Sequence, residues 1–191
     1  MKNIVIGVGN LLFKDEGIGI YAAKYLEENY SFEPKIEIID GGTLGFKLMS
    51  YFQEYDNVVI LDTVSIEDKA GEIFRIPSDV LLGLGTYRKT AHEVEIVEML
   101  EICSVLEEHA AVTILGIIPE DIVTVEIGLT PTIEAKFEEY VAHVLKECEN
   151  MGCVAKKINT KSVKQIALEL IGSYNGEHLS RIPNEEDLTC R

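Results

Sequence analysis

An alternation of apolar segments and amphipathic segments most constrains how this chain folds. The apolar run at 4–8 is interrupted and ended by glycines, and "GIGIYAAKYLEENY" follows it with helical spacing. "KIEIIDGG" and "LGFKLMSYFQEY" repeat the pair, and the strongly apolar "NVVILDTV" begins a third unit. Strands that alternate with helices are typical of a parallel sheet with helical crossovers. The sequence therefore predicts a single-domain three-layer α/β/α sandwich with a mostly parallel central sheet.

The second half of the chain continues this pattern less regularly. "GEIFRI" predicts an edge strand, and the segment at 82–108 predicts a glycine-containing loop followed by a long helix. "AAVTILGI" and "DIVTVEIG" predict strands, and the helix after them has a proline near its start and a glycine after its end. We expect a domain over 1–152 and a C-terminal extension over 153–191, with one further helix and then a mobile tail.

Charge and cysteine content limit the partners and the compartment. The chain has 17 Lys plus Arg against 33 Asp plus Glu, a net charge of −16, which opposes binding to nucleic acid. No run of ~18 apolar residues is present, so no membrane span is expected. The four cysteines follow no apolar signal segment and show no structural zinc spacing. These features predict a cytoplasmic protein with ordinary thiols.

Acidic and glycine-rich segments follow the first three predicted strands. Glu16 lies beyond the first strand, Asp40 ends the second, and Asp62 ends the third. Ligands of open α/β sheets bind at the carboxyl ends of the strands. We therefore expect these acids to converge on one crevice.

The glycines after the first strand only partly match a dinucleotide-binding fingerprint. Leu12 occupies the third glycine position, and Asp40 is too far beyond Gly7, because the ribose-binding acid is expected ~20 residues on. No Gly-Lys-Ser/Thr ending makes a phosphate loop, and no Gly-x-Ser-x-Gly elbow or HExxH sequence indicates a conventional hydrolase. A nucleotide-binding module is thus the weakest of the hypotheses.

Metal binding fits the polar residues better. Glu16, Asp62 and His92 offer two carboxylates and an imidazole, a donor set that suits a divalent transition metal. Taken singly, each also has an ordinary structural role in a turn, a helix cap or a surface helix. Adjacent acids point to different sides of a turn, so Asp15 stays open as an alternative to Glu16.

A second glycine-rich segment provides space beside these acids. In "DGGTLG", Asp40 is followed by Gly41, Gly42 and Thr43 before a predicted helix. Paired glycines permit tight turns and a close backbone approach, and the threonine is able to cap the helix. The segment leaves room for an extended chain at the edge of the sheet.

Five segments together resemble one known family. "GVGNLLFKDEGIG", "DGGTLG", "VVILDTV", "TAHEVE" and "GIIPE" occur in the order found in the hydrogenase maturation peptidases, and "LTPTIEA" extends the resemblance to about residue 152. These endopeptidases trim the C-terminal extension from the large-subunit precursor of nickel–iron hydrogenases. The resemblance does not cover residues 153–191.

The resemblance implies a metal that arrives with the substrate. Nickel already inserted in the precursor would be contacted by Glu16, Asp62 and His92, with no metal permanently bound. Glu16 or Asp62 would act as the catalytic base. Asp40, Gly41, Gly42 and Thr43 would bind the substrate peptide. A non-catalytic nickel-binding accessory or checkpoint protein for hydrogenase assembly is the alternative, because it would use the same three ligands.

Overall fold

The computed structural model describes residues 1–43, 48–78, 80 and 110–178. The described strands, in chain order, are β1 (Asn3–Val8), β2 (Tyr30–Glu33), β3 (Glu37–Gly42), β4 (Asn57–Thr63), β5 (Ile73–Pro77), β6 (Ala111–Ile117) and β7 (Val154–Lys157). The described helices are a 3-10 helix (Lys14–Gly17), α1 (Ile18–Asn29), α2 (Met49–Glu54), α3 (Pro131–Asn150) and α4 (Val163–His178).

Five strands form the central sheet in the order β3-β1-β4-β6-β5. The first four of these run parallel, and β5 pairs antiparallel with β6 at the edge. One apolar cluster joins a face of the sheet to α1 and α3, and a second cluster joins the opposite face to α2. The predicted mostly parallel α/β fold and the edge strand are therefore confirmed.

The inner strands explain why their sequences are apolar almost without interruption. All six residues of β1 are buried, and so are six of the seven residues of β4. Strands covered by helices on both faces lack the alternation of a half-exposed strand, since both sets of side chains enter a core. Ile4 and Ile6 face the α2 side, whereas Val5 faces the α1 side.

Two glycines allow α1 to begin directly on the sheet. A Cβ at Gly19 would overlap the carbonyl oxygens of Leu61 and Val8, and a Cβ at Gly7 would overlap Gly19. The start of α1 therefore lies against the carboxyl ends of β1 and β4. These two strands are neighbours at the point where the chain switches from one side of β1 to the other. In doubly wound sheets such a switch point leaves a crevice for ligands.

The prediction of a strand over 121–128 is wrong. This segment has bends and a single bridge, between Glu126 and Phe13. Its valines favour a strand, but its backbone bonds to the loop before α1, with Lys14 N–H donating to Glu126 O and Glu126 N–H donating to Leu12 O. A strand needs a neighbouring strand for its ladder, and this segment has a loop instead.

Residues 153–171 pack against the rest of the described chain. β7 pairs antiparallel with β2, and sequence patterns predicted neither strand. Cys153 and Ile166 are fully buried in the same cluster as α1. The side chain of Asn29 accepts a hydrogen bond from Lys161 N–H at 2.7 Å and donates to Lys161 O at 3.0 Å. α4 is thereby anchored at its beginning to the end of α1.

Several predicted features lie outside the described residues. They are the start of the second helix at 44–47, the loop and long helix at 82–108 with His92, and the tail beyond 178. Among the helices that are described, none is both long and apolar enough to cross a membrane.

The ion pair between β5 and α3 makes the stability depend on pH. Arg75 donates to both carboxylate oxygens of Glu147, at 2.8 and 2.7 Å, and these bonds hold the pKa of Glu147 below its ordinary value. A carboxyl whose pKa is lowered by folding stabilises the folded state above its unfolded pKa, and this stabilisation is lost as the pH falls through the folded pKa.

We expect Glu147→Gln to lower the free energy of unfolding by about 1–2 kcal/mol at pH 7, because Arg75 loses a buried charged partner. The difference from the wild type should shrink as the pH falls below 4.5, the ordinary carboxyl value. Urea unfolding at several pH values measures both effects. Glu149→Gln, which removes an exposed ion pair on the same helix, should change stability by less than about 0.5 kcal/mol. Equal losses in the two variants would contradict the assignment.

Candidate active site

Glu16 lies in the 3-10 helix between β1 and α1 and is half-buried. Its backbone is held by the preceding turn, since Asn10 N–H donates to Glu16 O at 3.2 Å and Glu16 N–H donates to Phe13 O at 3.0 Å. Gly9 has a φ of +145°, and a Cβ there would overlap the Glu16 carbonyl oxygen. The glycine is therefore required so that the turn can close onto the acidic residue.

Asp62 is the second acid and lies near the carboxyl end of β4, where it is buried. Its Oδ1 accepts a hydrogen bond from Thr63 N–H at 2.7 Å. Asp62 is in register with Gly116 of β6 and shares a face of the sheet with Ile60. Burial, and after it the charge of the Asp62 carboxylate, raises the pKa of Tyr140 well above its ordinary value. The phenol is therefore a neutral neighbour of the site.

The two acids occupy the carboxyl edge of neighbouring strands. The 3-10 helix that carries Glu16 contacts β4, whose end carries Asp62. His92, the third member of the predicted donor set, is not among the described residues. Within the described ranges, no three Cys, His, Asp or Glu side chains group closely enough to hold a metal ion. The ligand set of Glu16, Asp62 and His92 thus stays a prediction.

Asp15 has a different environment from Glu16. It is fully buried, and its carboxylate accepts four hydrogen bonds. Oδ2 accepts from Glu120 N–H, Asp121 N–H and the Thr130 hydroxyl, each at 3.0 Å, and Oδ1 accepts from Thr130 N–H at 2.7 Å. A carboxylate has about four lone-pair directions. Protein donors therefore occupy the acceptor capacity of Asp15, and its role is to anchor the loop before α3.

Sequence patterns did not distinguish these neighbouring acids. The one local signal lies in the partner segment, where Thr130 begins α3 and its Oγ1 accepts a long hydrogen bond from Ile133 N–H. An acid at this point is favoured by the positive end of the helix dipole. Only the pairing of Asp15 with Thr130, 115 residues away, reveals the difference.

The predicted peptide-binding residues lie at the end of β3 and form a second turn. Asp40 Oδ1 accepts from Gly42 N–H at 2.8 Å, and Gly42 has a φ of +52°. The carbonyl of Gly42 accepts from Gly9 N–H at 2.9 Å, which joins this turn to the turn before Glu16. The Asp40 side chain reaches solvent, but neighbouring protein atoms remove enough water to raise its pKa, against the effect of the Gly42 N–H.

A cavity of about 680 Å³ opens beside the two joined turns. Its lining is mainly apolar, with Asn10, Tyr21, Asp40 and Thr43 as the residues that carry polar side-chain groups. The lining residues are Gly9, Asn10, Leu11, Leu12, Ile20, Tyr21, Asp40, Gly41, Gly42, Thr43, Ile127, Leu170 and Ile171. All four predicted peptide-binding residues, Asp40 to Thr43, line this one cavity.

A family model described as hydrogenase maturation protease matches residues 20–147, about two thirds of the chain. This chain belongs to the hydrogenase maturation protease family. The Escherichia coli hydrogenase 2 maturation protease is 32% identical over 157 residues, which cover 81% of this chain and 95% of that protein. The family prediction made from the motifs is therefore confirmed, and the enzyme class is that of a hydrolase, an endopeptidase of hydrogenase maturation.

Solved structures agree with this assignment. The E. coli hydrogenase maturating endopeptidase HybD superposes with a TM-score of 0.76 at 32% identity, covering 82% of this chain and 98% of that chain. The protein HupD of Thiocapsa roseopersicina is 26% identical over 97% of this chain and 89% of its own length. The match with HybD thus leaves about a fifth of this chain without a counterpart, whereas the match with HupD spans nearly all of it.

Neutral substitution of Asp15 should lower the stability of the protein. We expect Asp15→Asn to lower the free energy of unfolding by about 2–3 kcal/mol, because its amide group would face hydrogen-bond donors. Chemical denaturation measures this loss.

The control for this substitution is Glu120→Gln, which changes an exposed side chain in the same loop and should alter stability by less than about 0.5 kcal/mol. If Asp15→Asn were as stable as the control, Asp15 would not be the anchor of the loop.

Proposed function

We propose that this protein removes the C-terminal extension of a nickel–iron hydrogenase large-subunit precursor after nickel has been inserted. The observation that carries the proposal is the placement of Glu16 and Asp62 at the carboxyl ends of two neighbouring strands, at the switch point of the sheet. Family membership supports the class of substrate, since the relatives are named as maturation proteases of hydrogenases. No nucleic acid or membrane takes part in the proposed reaction.

Nickel enters this proposal as part of the substrate. Glu16, Asp62 and His92 would contact the nickel of the loaded precursor, and the enzyme would hold no permanent metal. Two carboxylates and one imidazole suit a divalent transition metal and leave coordination positions for the precursor's own ligands. The engagement of Asp15 by four protein donors supports Glu16 as the ligand from this pair of acids.

The proposed reaction is hydrolysis of one peptide bond. Glu16 or Asp62 accepts a proton from water while the water oxygen forms a bond to the scissile carbonyl carbon. The C–N bond then breaks, and the proton passes to the leaving amine. The substrate's nickel polarises the carbonyl or the attacking water. Thr63 N–H orients the Asp62 carboxylate, and the buried position of Asp62 strengthens its interactions with developing charge.

The peptide on either side of the scissile bond would lie across the joined turns. Asp40 and Thr43 offer polar side chains at the rim of the cavity, and Gly41 and Gly42 permit close approach of a second backbone. This arrangement supports binding of an extended segment next to the acids. It also gives a reason for the hydrogen bond between Gly9 and Gly42, which fixes the distance between the two turns.

Cleavage should depend on nickel in the precursor. We expect the purified protein to shorten a nickel-loaded large-subunit precursor and to leave the nickel-free precursor intact, because the metal completes the recognition of the substrate. Intact mass spectrometry of both precursors detects the trimmed product. Cleavage of both forms would contradict nickel gating. Nickel-dependent binding without cleavage of any precursor would favour the checkpoint protein instead.

Neutral substitution of either acid should stop cleavage. We expect Asp62→Asn and Glu16→Gln each to lower the rate of trimming by at least about 10²-fold. Asp62→Asn should remain folded, because the amide oxygen can still accept from Thr63 N–H. Single-turnover cleavage and thermal unfolding are measured together.

Asp56→Asn is the matched control, since Asp56 is exposed and directly precedes β4 at the opposite end of that strand. It should cleave like the wild type. If Asp62→Asn cleaved at a rate within about threefold of that of Asp56→Asn, Asp62 would have no part in the mechanism.

A further inference from the structure

We infer that α4 forms one wall of the peptide groove and that Ile171 selects an apolar side chain of the precursor segment bound there. This inference rests on the proposed function, and it assigns a specificity-determining role to a helix outside the matched family model, which ends at residue 147. The occupant is the extended C-terminal segment of the large-subunit precursor, next to its scissile bond.

The walls of the cavity come from distant parts of the chain. The turn at 9–12, the turn at 40–43, and Leu170 and Ile171 of α4 all line it. Peptide bound at Asp40–Thr43 therefore shares the cavity with α4. Because β3 is the terminal strand of the described sheet, an extended segment can approach these turns from the open edge.

The space around α4 fits an incoming side chain. A second cavity of about 320 Å³ lies along the same helix, and Ile171, Tyr21 and Ile127 line both cavities. Ile171 thus borders both cavities. The first cavity, which the turn at 40–43 also lines, has room for the side chain of a ligand without displacement of the protein core.

The chemistry of the groove selects for apolar groups. Leu12 is 54% exposed and Ile127 is 42% exposed at the mouth of the cavity, in a protein of net charge −16. Burial of an apolar ligand group against these side chains and Ile171 removes apolar surface from water on both partners. A negatively charged side chain would lose its hydration there without gaining an opposite charge, because Asp40 is the charged residue among the described lining residues.

The anchoring of α4 makes this wall stable enough to act in selection. Ile166 is fully buried, and Lys161 lies 2.9 Å from both Glu28 and Glu169. Lys161, Ile166 and Glu169 all precede Ile171 in the chain. Deletion of everything after Gly152 would remove the buried Cys153 and the strand partner of β2, so point substitutions are the sharper test.

The relatives differ in how much of this chain they match. The HybD match leaves about a fifth of this chain uncovered while it accounts for 98% of HybD. The HupD match spans 97% of this chain. A wall apart from the reacting acids can distinguish between precursors while the acids at the switch point perform the same reaction.

The test compares Ile171→Asp with Leu168→Asp. Leu168 lies on the same helix, is 68% exposed and lines only the second cavity. With a nickel-loaded precursor that the wild type cleaves, we expect Ile171→Asp to raise KM at least about tenfold. The kcat of this variant should stay within about threefold, and Leu168→Asp should change neither constant. Thermal unfolding of both variants monitors the fold.

A second experiment keeps the test independent of helix stability. Ile171→Ala enlarges the cavity and Ile171→Trp fills it, and neither variant adds charge. A serine scan through the precursor residues around the scissile bond identifies the apolar position that matters for the wild type. The fold increase in KM that serine causes at that position should be at least about threefold smaller in both variants than in the wild type. The reason is that the changed residue 171 no longer fits the apolar side chain of the precursor.

Three outcomes are distinguishable. Increases in KM at Ile171 that are coupled to one apolar precursor position support the inference. Kinetics at Ile171 indistinguishable from those of Leu168→Asp, or equal costs of serine in all variants, overturn the inference and leave the proposed function intact. Failure of the wild type to cleave any nickel-loaded precursor overturns the proposed function and the inference together.

Discussion

The rest of the site depends on the hydrogen bonds that the buried carboxylate of Asp15 accepts. Its four hydrogen bonds join the turn before α1 to the loop before α3. Burial of an ionised carboxylate is tolerated only when donors replace its hydration. Because those donors are three backbone N–H groups and the Thr130 hydroxyl, the anchor fixes the backbone on which Glu16 is carried. The position of Glu16 and the stability of the loop therefore depend on one residue pair, Asp15 and Thr130.

The sheet supplies the second constraint. β1 and β4 are neighbours at the switch point, and the start of α1 lies against their carboxyl ends. The chain can approach so closely only because glycines leave space at these contacts. Asp62 reaches this edge from β4 and Glu16 from the turn after β1. The fold thereby brings together two carboxylates that are 46 residues apart in the sequence, and a metal supplied by the substrate would offset their mutual repulsion.

The C-terminal extension changes the surroundings of this site rather than its acids. β7 completes a two-stranded sheet with β2, and α4 borders the cavity that also contains the turn at 40–43. A family that performs one cleavage on several precursors needs recognition elements that can vary separately from the reacting groups. α4 is anchored at its beginning and lines the cavity with Leu170 and Ile171. It therefore meets this requirement.

Local periodicity was enough to predict much of this protein. Continuous apolar runs identified β1, β4 and β6, and the order of short motifs identified the family. Tertiary structure alone decided that Asp15 is an anchor, that 121–128 is not a strand and that β2 pairs with β7. The physical reason is that apolar spacing reports burial along one segment, whereas hydrogen-bond donors and strand neighbours come from residues far away in the chain. Two adjacent acids look alike in sequence, and only the donors folded around Asp15 distinguish it from Glu16.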